Sequence, residues 1–168
     1  MKYRTISLVV ALAGLFSATA HATDVNLGGT VIASACTVDT DSISRDVDLG
    51  RVQKKDLQTA GSAGDWQPFK VNLVSCPAAT RSATVIFTGT PYTGDATLYA
   101  NAGTALGVVV QMAQDANKTL VQGNGTSMTV NVDAQHNATY VLAARVISTG
   151  NAVAGTVNSI VQMSFTYQ

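Results

Sequence analysis

The chain has 168 residues, ten basic and ten acidic side chains and a formal net charge of zero, and only 12% of its residues are charged. This length fits a single domain. The balanced charge excludes a strong electrostatic attraction to nucleic acid or to an anionic membrane surface.

Residues 1–22 have the pattern of a secretory signal peptide. A basic start, Met1–Arg4, precedes a mostly apolar run from Thr5 to Phe16, and Ala20-His-Ala22 is a small-x-small cleavage site. The apolar run is too short to span a bilayer as a helix. We therefore predict export, cleavage after Ala22 and a mature chain from Thr23 to Gln168.

The first mature residues alternate as a strand does, with polar side chains on one face. The other face carries small and apolar residues, namely Val25, Leu27, Gly29, Val31 and Ala33. Three structures fit this pattern. The segment pairs within its own domain, or it stays disordered as many termini do, or it completes the sheet of another molecule by strand addition.

Two cysteines, Cys36 and Cys76, are the only ones in the chain. An exported chain with two cysteines most simply forms one disulfide. Metal binding is poorly supported, because His136 is the only histidine of the mature chain and no C-x-x-C pair occurs. A Ser-His-Asp triad would also depend on His136, so we predict no enzyme, no metal and no cofactor.

The middle of the chain predicts an all-β fold. Turn signals such as Thr93–Asp95 and Thr149–Asn151 separate short runs rich in β-branched residues, and Lys54–Ala60 allows one short helical turn. Many short strands at regular spacing are typical of a β-sandwich. The predicted strands are Trp66–Ser75, Ser82–Thr88, Leu106–Met112, Met128–Val132 and Thr139–Ile147.

The last fourteen residues, from Gly155 to Gln168, alternate as an amphipathic strand. A long apolar strand at an edge must find a partner or become an aggregation hazard. Its apolar face carries Val157, Val161, Met163, Phe165 and Tyr167.

Together these features resemble a subunit of chaperone–usher fimbriae, of the type 1 pilin kind. Gly155 stands fourteenth from the C-terminal residue, and Tyr167 is the penultimate one, as in that family. The resemblance covers the whole chain. It also rests on the signal peptide, the alternating segment before Cys36–Val38, Val47–Gly50, Phe69–Pro77 and Phe87–Gly89.

The resemblance implies an incomplete immunoglobulin-like β-sandwich that lacks its last strand and has an apolar groove beside the C-terminal strand. A periplasmic chaperone lends a strand to that groove, and at the outer-membrane usher the next subunit's N-terminal extension replaces it. Residues 23–35 would be this extension, with the donor stripe Val25 to Ala33, and residues 36–168 the pilin domain with the Cys36–Cys76 disulfide. The groove and chaperone-binding strand would use Gly155, Val157, Val161, Met163, Phe165 and Tyr167.

The implied partners are neighbouring pilin subunits, the chaperone and the usher, in a cell-surface fimbrium that supports adhesion. The stretch Ala63–Pro77 and the short extension before Cys36 look more like a minor subunit at the tip or in an adaptor position. A major, rod-forming pilin is the alternative. A stand-alone secreted β-sandwich that binds ligands as lectins do is the alternative of a different class.

Overall fold

The computed structural model describes residues 28–29, 35–43 and 45–168. The predicted signal peptide lies outside the described residues, as do Val25, Leu27, Val31 and Ala33 of the donor stripe, whereas Gly29 is described and exposed. Within the described ranges, no helix is long and apolar enough to cross a membrane.

The described chain is all-β, as predicted, and every ladder between its strands is antiparallel. One sheet has the order β1-β2-β8-β6-β5-β4 and the other the order β7-β3-β9. Two short 3-10 helices, Thr40–Ser42 and Lys54–Leu57, precede β2. The strands are β1 Thr37–Val38, β2 Gln67–Val74, β3 Ser82–Gly89, β4 Pro91–Tyr92, β5 Asp95–Ala100, β6 Leu106–Gln114, β7 Ser127–Asn131, β8 Ala138–Val153 and β9 Val161–Tyr167.

The core lies between the two sheets because each central strand turns alternate apolar residues inwards. In β3, Ala83, Val85 and Phe87 are fully buried, and the residues between them are more exposed. Opposite them, β8 contributes Tyr140 and Leu142. The alternation that predicted these strands is therefore the alternation that builds the core.

The predicted turn at Thr149–Asn151 is wrong, because β8 continues through it to Val153. Leu106 of β6 pairs with Val153, whereas Val108 pairs with Ser148, so extra residues of β8 bulge out of the ladder. Gly150 has φ of 109° and Asn151 has φ of 50°. Glycine and asparagine adopt such left-handed conformations easily in bulges as well as in turns, and for that reason the local sequence suggested a turn.

A disulfide joins Cys36 to Cys76, as predicted, with their Cα atoms 4.1 Å apart. It links the residue before β1 to the end of β2, which also pair with each other at Thr37–Val74 and Val38–Leu73. The start of the sandwich is thus held to its second strand both covalently and by a short ladder.

Candidate functional site

A groove of about 1320 Å³ opens between the two sheets. The segment Arg45–Val52, which has no regular secondary structure, lines one side, and the chain from Ala152 to Phe165 lines the other. The floor is apolar and comes from β2, β5, β6 and β8. It is formed by Phe69, Val71, Tyr99, Val108, Val110, Met112, Ala144 and Val146.

The C-terminal strand β9 runs along this groove as an edge strand. It pairs with β3 from Ala83–Tyr167 to Gly89–Val161 and stands last in its sheet. No strand among the described residues pairs with its other edge. The backbone N–H and C=O groups that point from this edge are therefore available to another strand.

The residues predicted for this strand fall into two groups. Gly155, Val157, Val161, Met163 and Phe165 all line the groove, and the four apolar side chains are half-buried. Tyr167 does not line it. Its ring packs against the core, and its hydroxyl lies 3.5 Å from the carbonyl oxygen of Cys36.

Regular pairing of this strand begins at Val161, later than the alternation from Val157 predicts. Before that point the backbone is bonded to the loop before β6. Ala105 N donates to Thr156 O at 3.0 Å, and Ala102 N donates to Asn158 O at 2.8 Å. These bonds divert the chain from β3, so residues 154–160 cross the end of the groove instead of extending β9.

Gly155 permits this crossing by its lack of a side chain. A Cβ atom there would overlap the backbone of Thr104 and Ala105. The crossing is reinforced by Thr156, whose amide donates to Thr104 Oγ1 at 2.9 Å while its own Oγ1 accepts from the Thr104 amide at 3.0 Å. Val157 is thereby placed against the core.

Two buried tyrosines lie at the groove, Tyr99 in its floor and Tyr140 against Phe165 of its C-terminal strand. The hydroxyls of Tyr99 and Tyr140 are buried without a hydrogen-bond partner among the described residues. Burial raises the pKa of Tyr99 to about 12. Burial, and to a smaller extent the nearby Tyr167, raise the pKa of Tyr140 as well. Both groups stay neutral at ordinary pH.

Among the described residues that line the groove, charged side chains occur along one rim only, where they are exposed to solvent. The inside is therefore suited to apolar side chains and unsuited to charged ones, because burying an unpaired charge is costly. In the described part of the chain, no three His, Cys, Asp or Glu residues cluster as metal ligands. The rim charges are Arg45, Asp46, Asp48, Arg51 and Lys54.

The dimensions of the groove suit an extended polypeptide better than a small molecule. Its volume of about 1320 Å³ exceeds the roughly 300–1,000 Å³ of ordinary ligand pockets. The seven residues of β9 form an edge of ~24 Å at ~3.4 Å per residue.

The sequence did not reveal the floor residues as part of a site. Val71, Val110 and Met112 belong to strands whose apolar faces look like any sandwich core. They line a groove because no strand among the described residues lies above them. That absence becomes visible once the order of the strands is known.

A family model described as "Fimbrial protein" matches residues 25–168. This chain belongs to the fimbrial protein family. The fimbrial subunit is 36% identical over 165 residues to the uncharacterized fimbrial-like protein YdeR of Escherichia coli K12, covering 96% of this chain and 95% of YdeR. It is 33% identical over 165 residues to FimG of the same strain, covering 95% of each chain.

The fold of the fimbrial subunit is also that of pilins. A subunit in the solved structure of a chaperone–usher pilus superposes with a TM-score of 0.66 at 19% identity, over 88% of this chain and 96% of that one. The incomplete immunoglobulin-like sandwich expected from the sequence is thus confirmed. The chain is a fimbrial subunit of the chaperone–usher type, a structural protein and not an enzyme.

Proposed function

We propose that this subunit polymerises by donor-strand exchange, in which the groove accepts the N-terminal extension of a neighbouring subunit. The donor stripe, Val25 to Ala33, enters the groove of the next molecule. The observation that carries the proposal is an edge of β9 that no described strand pairs with, beside an apolar groove. A strand added there would hydrogen-bond to β9 and cover the open side of the core at the same time.

The donated strand runs antiparallel to β9. Every ladder in the described fold is antiparallel, and sheets of one pairing type are favoured over mixed ones. Burial of Val25, Leu27 and Val31 would each contribute ~1.5–3 kcal/mol. Each backbone hydrogen bond to β9 would add about 0.5–1.5 kcal/mol.

Before assembly, the groove is occupied by a strand of a periplasmic chaperone, which delivers the subunit to an outer-membrane usher. An open apolar groove next to an unpaired strand edge promotes aggregation, so a free subunit needs such protection. The predicted signal peptide, residues 1–22, supports export through the periplasm. The completed fimbrium stands on the cell surface and supports adhesion.

Within the fimbrium, this chain acts as a minor subunit, at the tip or as an adaptor, and not as the major rod pilin. The stretch Ala63–Pro77 and the short extension before Cys36 support this assignment. Counting the chain per fibre with an epitope tag and immunogold electron microscopy tests it. Labels confined to fibre ends or joints are expected, whereas uniform labelling along the shaft would assign the chain to the rod.

The test of strand exchange is to express the mature chain, Thr23 to Gln168, without a chaperone and to add a peptide of residues 23–35. We expect a poorly soluble chain that the peptide rescues, with a large rise in melting temperature. A peptide with Val31→Asp is the matched control and should rescue far less, because a buried unpaired carboxylate is costly. A stable, soluble monomer indifferent to both peptides would indicate the stand-alone binding module instead.

A further inference from the structure

Three exposed apolar side chains flank the segment 154–160 and the loop before β6 to which that segment is hydrogen-bonded. Leu106 is 63% exposed, Val153 is 46% exposed and Ile160 is 74% exposed. Val153 and Ile160 line the groove, and Leu106 is the ladder partner of Val153. We call these three residues the groove-end patch. An exposed apolar patch commonly marks a surface that another molecule covers.

A second surface, made of small side chains, lies where the N-terminal extension leaves the sandwich. The disulfide holds Cys36 next to Cys76, and the residues after Cys76 form the turn Pro77–Ala79. Thr80 N donates to Pro77 O at 2.9 Å and closes this turn. Ala78 and Ala79 are exposed. We call Pro77–Ala79 the exit turn.

The length of the chain between these features restricts how two subunits meet, and this step rests on the donor-strand exchange proposed above. With Val25 to Ala33 in a groove, only Ser34 and Ala35 separate the donor stripe from Cys36. Ala33 and Cys36 are three residues apart, so their Cα atoms lie at most about 11 Å from each other. The antiparallel direction places Ala33 at the start of β9, so the body of the donating subunit lies beside the groove-end patch.

We propose that, where two copies of this chain adjoin in a tip segment, the groove-end patch of one copy packs against the exit turn of the other, the copy that donates its strand. Small apolar side chains of the turn would cover the larger side chains of the patch without burying a charge. The contact joins two different surfaces, so it repeats head to tail between successive copies within that segment. It would stiffen the joint between subunits beyond what the donated strand provides.

The contact can be tested by photo-cross-linking in polymers assembled from the full mature chain. A benzoylphenylalanine in place of Leu106 should cross-link to the peptide of the neighbouring copy that contains Pro77–Ala79. The same probe in place of Leu120, which is 46% exposed and lies in the loop after β6, is the control and should not reach that peptide. Cross-links from position 106 only to residues 23–35 would show that the donated strand covers the patch, and would overturn the proposal.

A substitution separates this contact from strand exchange. Leu106→Asp should leave binding of the free 23–35 peptide unchanged but reduce the persistence length of polymers, measured by electron microscopy, at least twofold relative to Leu120→Asp. Polymers of unchanged stiffness would overturn the contact while leaving strand exchange in place. If neither the unmodified chain nor Leu120→Asp binds the peptide or forms polymers, strand exchange fails, and the contact fails with it.

Discussion

The rings of Tyr140 and Phe165 lie with their centroids 5.7 Å apart and their planes tilted by 43°. Tyr140 belongs to β8 in the centre of the larger sheet, and Phe165 belongs to β9 at the open edge of the smaller one. Aromatic pairs in tilted geometries contribute about 0.5–1.5 kcal/mol beyond the area that they bury. This pair therefore holds the edge strand β9 against β8 of the opposite sheet, next to the groove.

Phe165→Ala should lower the stability of the subunit at the edge strand β9, beside the groove. Loss of a core phenylalanine typically costs ~3–5 kcal/mol, and we expect the lower part of this range because Phe165 is only half-buried. The measurement is the amount of chaperone-bound subunit recovered from the periplasm. Thr166→Ala, the next residue on the exposed face, is the control and should leave recovery unchanged.

Gly29→Leu should impair polymerisation and leave chaperone binding intact. Gly29 occupies the donor stripe, and a glycine there lets the donated backbone pass close over bulky floor residues such as Tyr99. Polymer yield and chaperone pull-down are measured side by side. The neighbouring Gly28→Leu has its side chain on the opposite face and should polymerise nearly normally; equal yields from both variants would contradict the prediction.

Gly155→Ala should destabilise the subunit, because the new methyl group would overlap backbone atoms of Thr104 and Ala105. Backbone cannot move aside as a flexible side chain can, so we expect a loss of roughly 1–3 kcal/mol, typical of overpacking. Thermal unfolding of the chain saturated with the 23–35 peptide measures it. Gly28→Ala is the matched control, since a Cβ there has no atom within 4 Å. Equal melting temperatures would show that the crossing can relax.

Alkaline pH should destabilise the fold through its buried tyrosines. Burial raises the pKa of Tyr99 from 10.0 to about 12, so between these values the unfolded chain loses a proton that the folded chain keeps. Stability is therefore full below pH 10 and falls as the pH rises towards 12, by up to about 1.4 kcal/mol per pH unit for one such group. Tyr99→Phe should remove part of this slope.

At neutral pH, Tyr99→Phe should lower the free energy of unfolding only slightly, because the Tyr99 hydroxyl has no hydrogen-bond partner among the described residues. Unfolding curves at pH 7, 10 and 11 distinguish the two effects. Tyr92→Phe, in the short strand β4, is the control. A large loss of stability for Tyr99→Phe at pH 7 would show that this hydroxyl does make a bond.

Reduction of the Cys36–Cys76 disulfide should lower stability substantially. The two cysteines are 40 residues apart in sequence. In the chain-entropy model of the unfolded state, a disulfide that closes a loop of this length raises the free energy of unfolding by about 4 kcal/mol. Denaturant unfolding with and without reductant measures the loss. The double variant Cys36→Ala with Cys76→Ala should match the reduced chain, and a midpoint unchanged by reductant would contradict the prediction.

Much of the sandwich could be predicted from the sequence, because alternation reports which face of a strand is buried. The central strands β2, β3, β6 and β8 show it clearly. The pair β4 and β5 was missed, since the two residues of β4 are too few to alternate. The bulge at Gly150 was mistaken for a turn, because both structures use the same backbone conformation.

The groove was harder to predict than the strands that surround it. The alternation of Val161, Met163 and Phe165 predicts an apolar face. That pattern is the same whether a neighbouring strand covers the face or not. Residues such as Val157 follow that pattern as well, although long-range bonds to the loop at Thr104 hold them outside the ladder. Strand order and long-range pairing decide these points, and neither is a local property.

The short strand β1 and the disulfide beside it determine where tension on the N-terminal extension would enter the subunit. β1 has only two residues, and a pull on Ala35 could peel such a ladder apart easily. The covalent bond from Cys36 to Cys76 instead carries the load into β2, which is paired with β8 from Gln67–Ala144 to Leu73–Ala138. At this subunit a fibre would then resist stretching through the central ladder, and reducing agents would lower the force at which it breaks there.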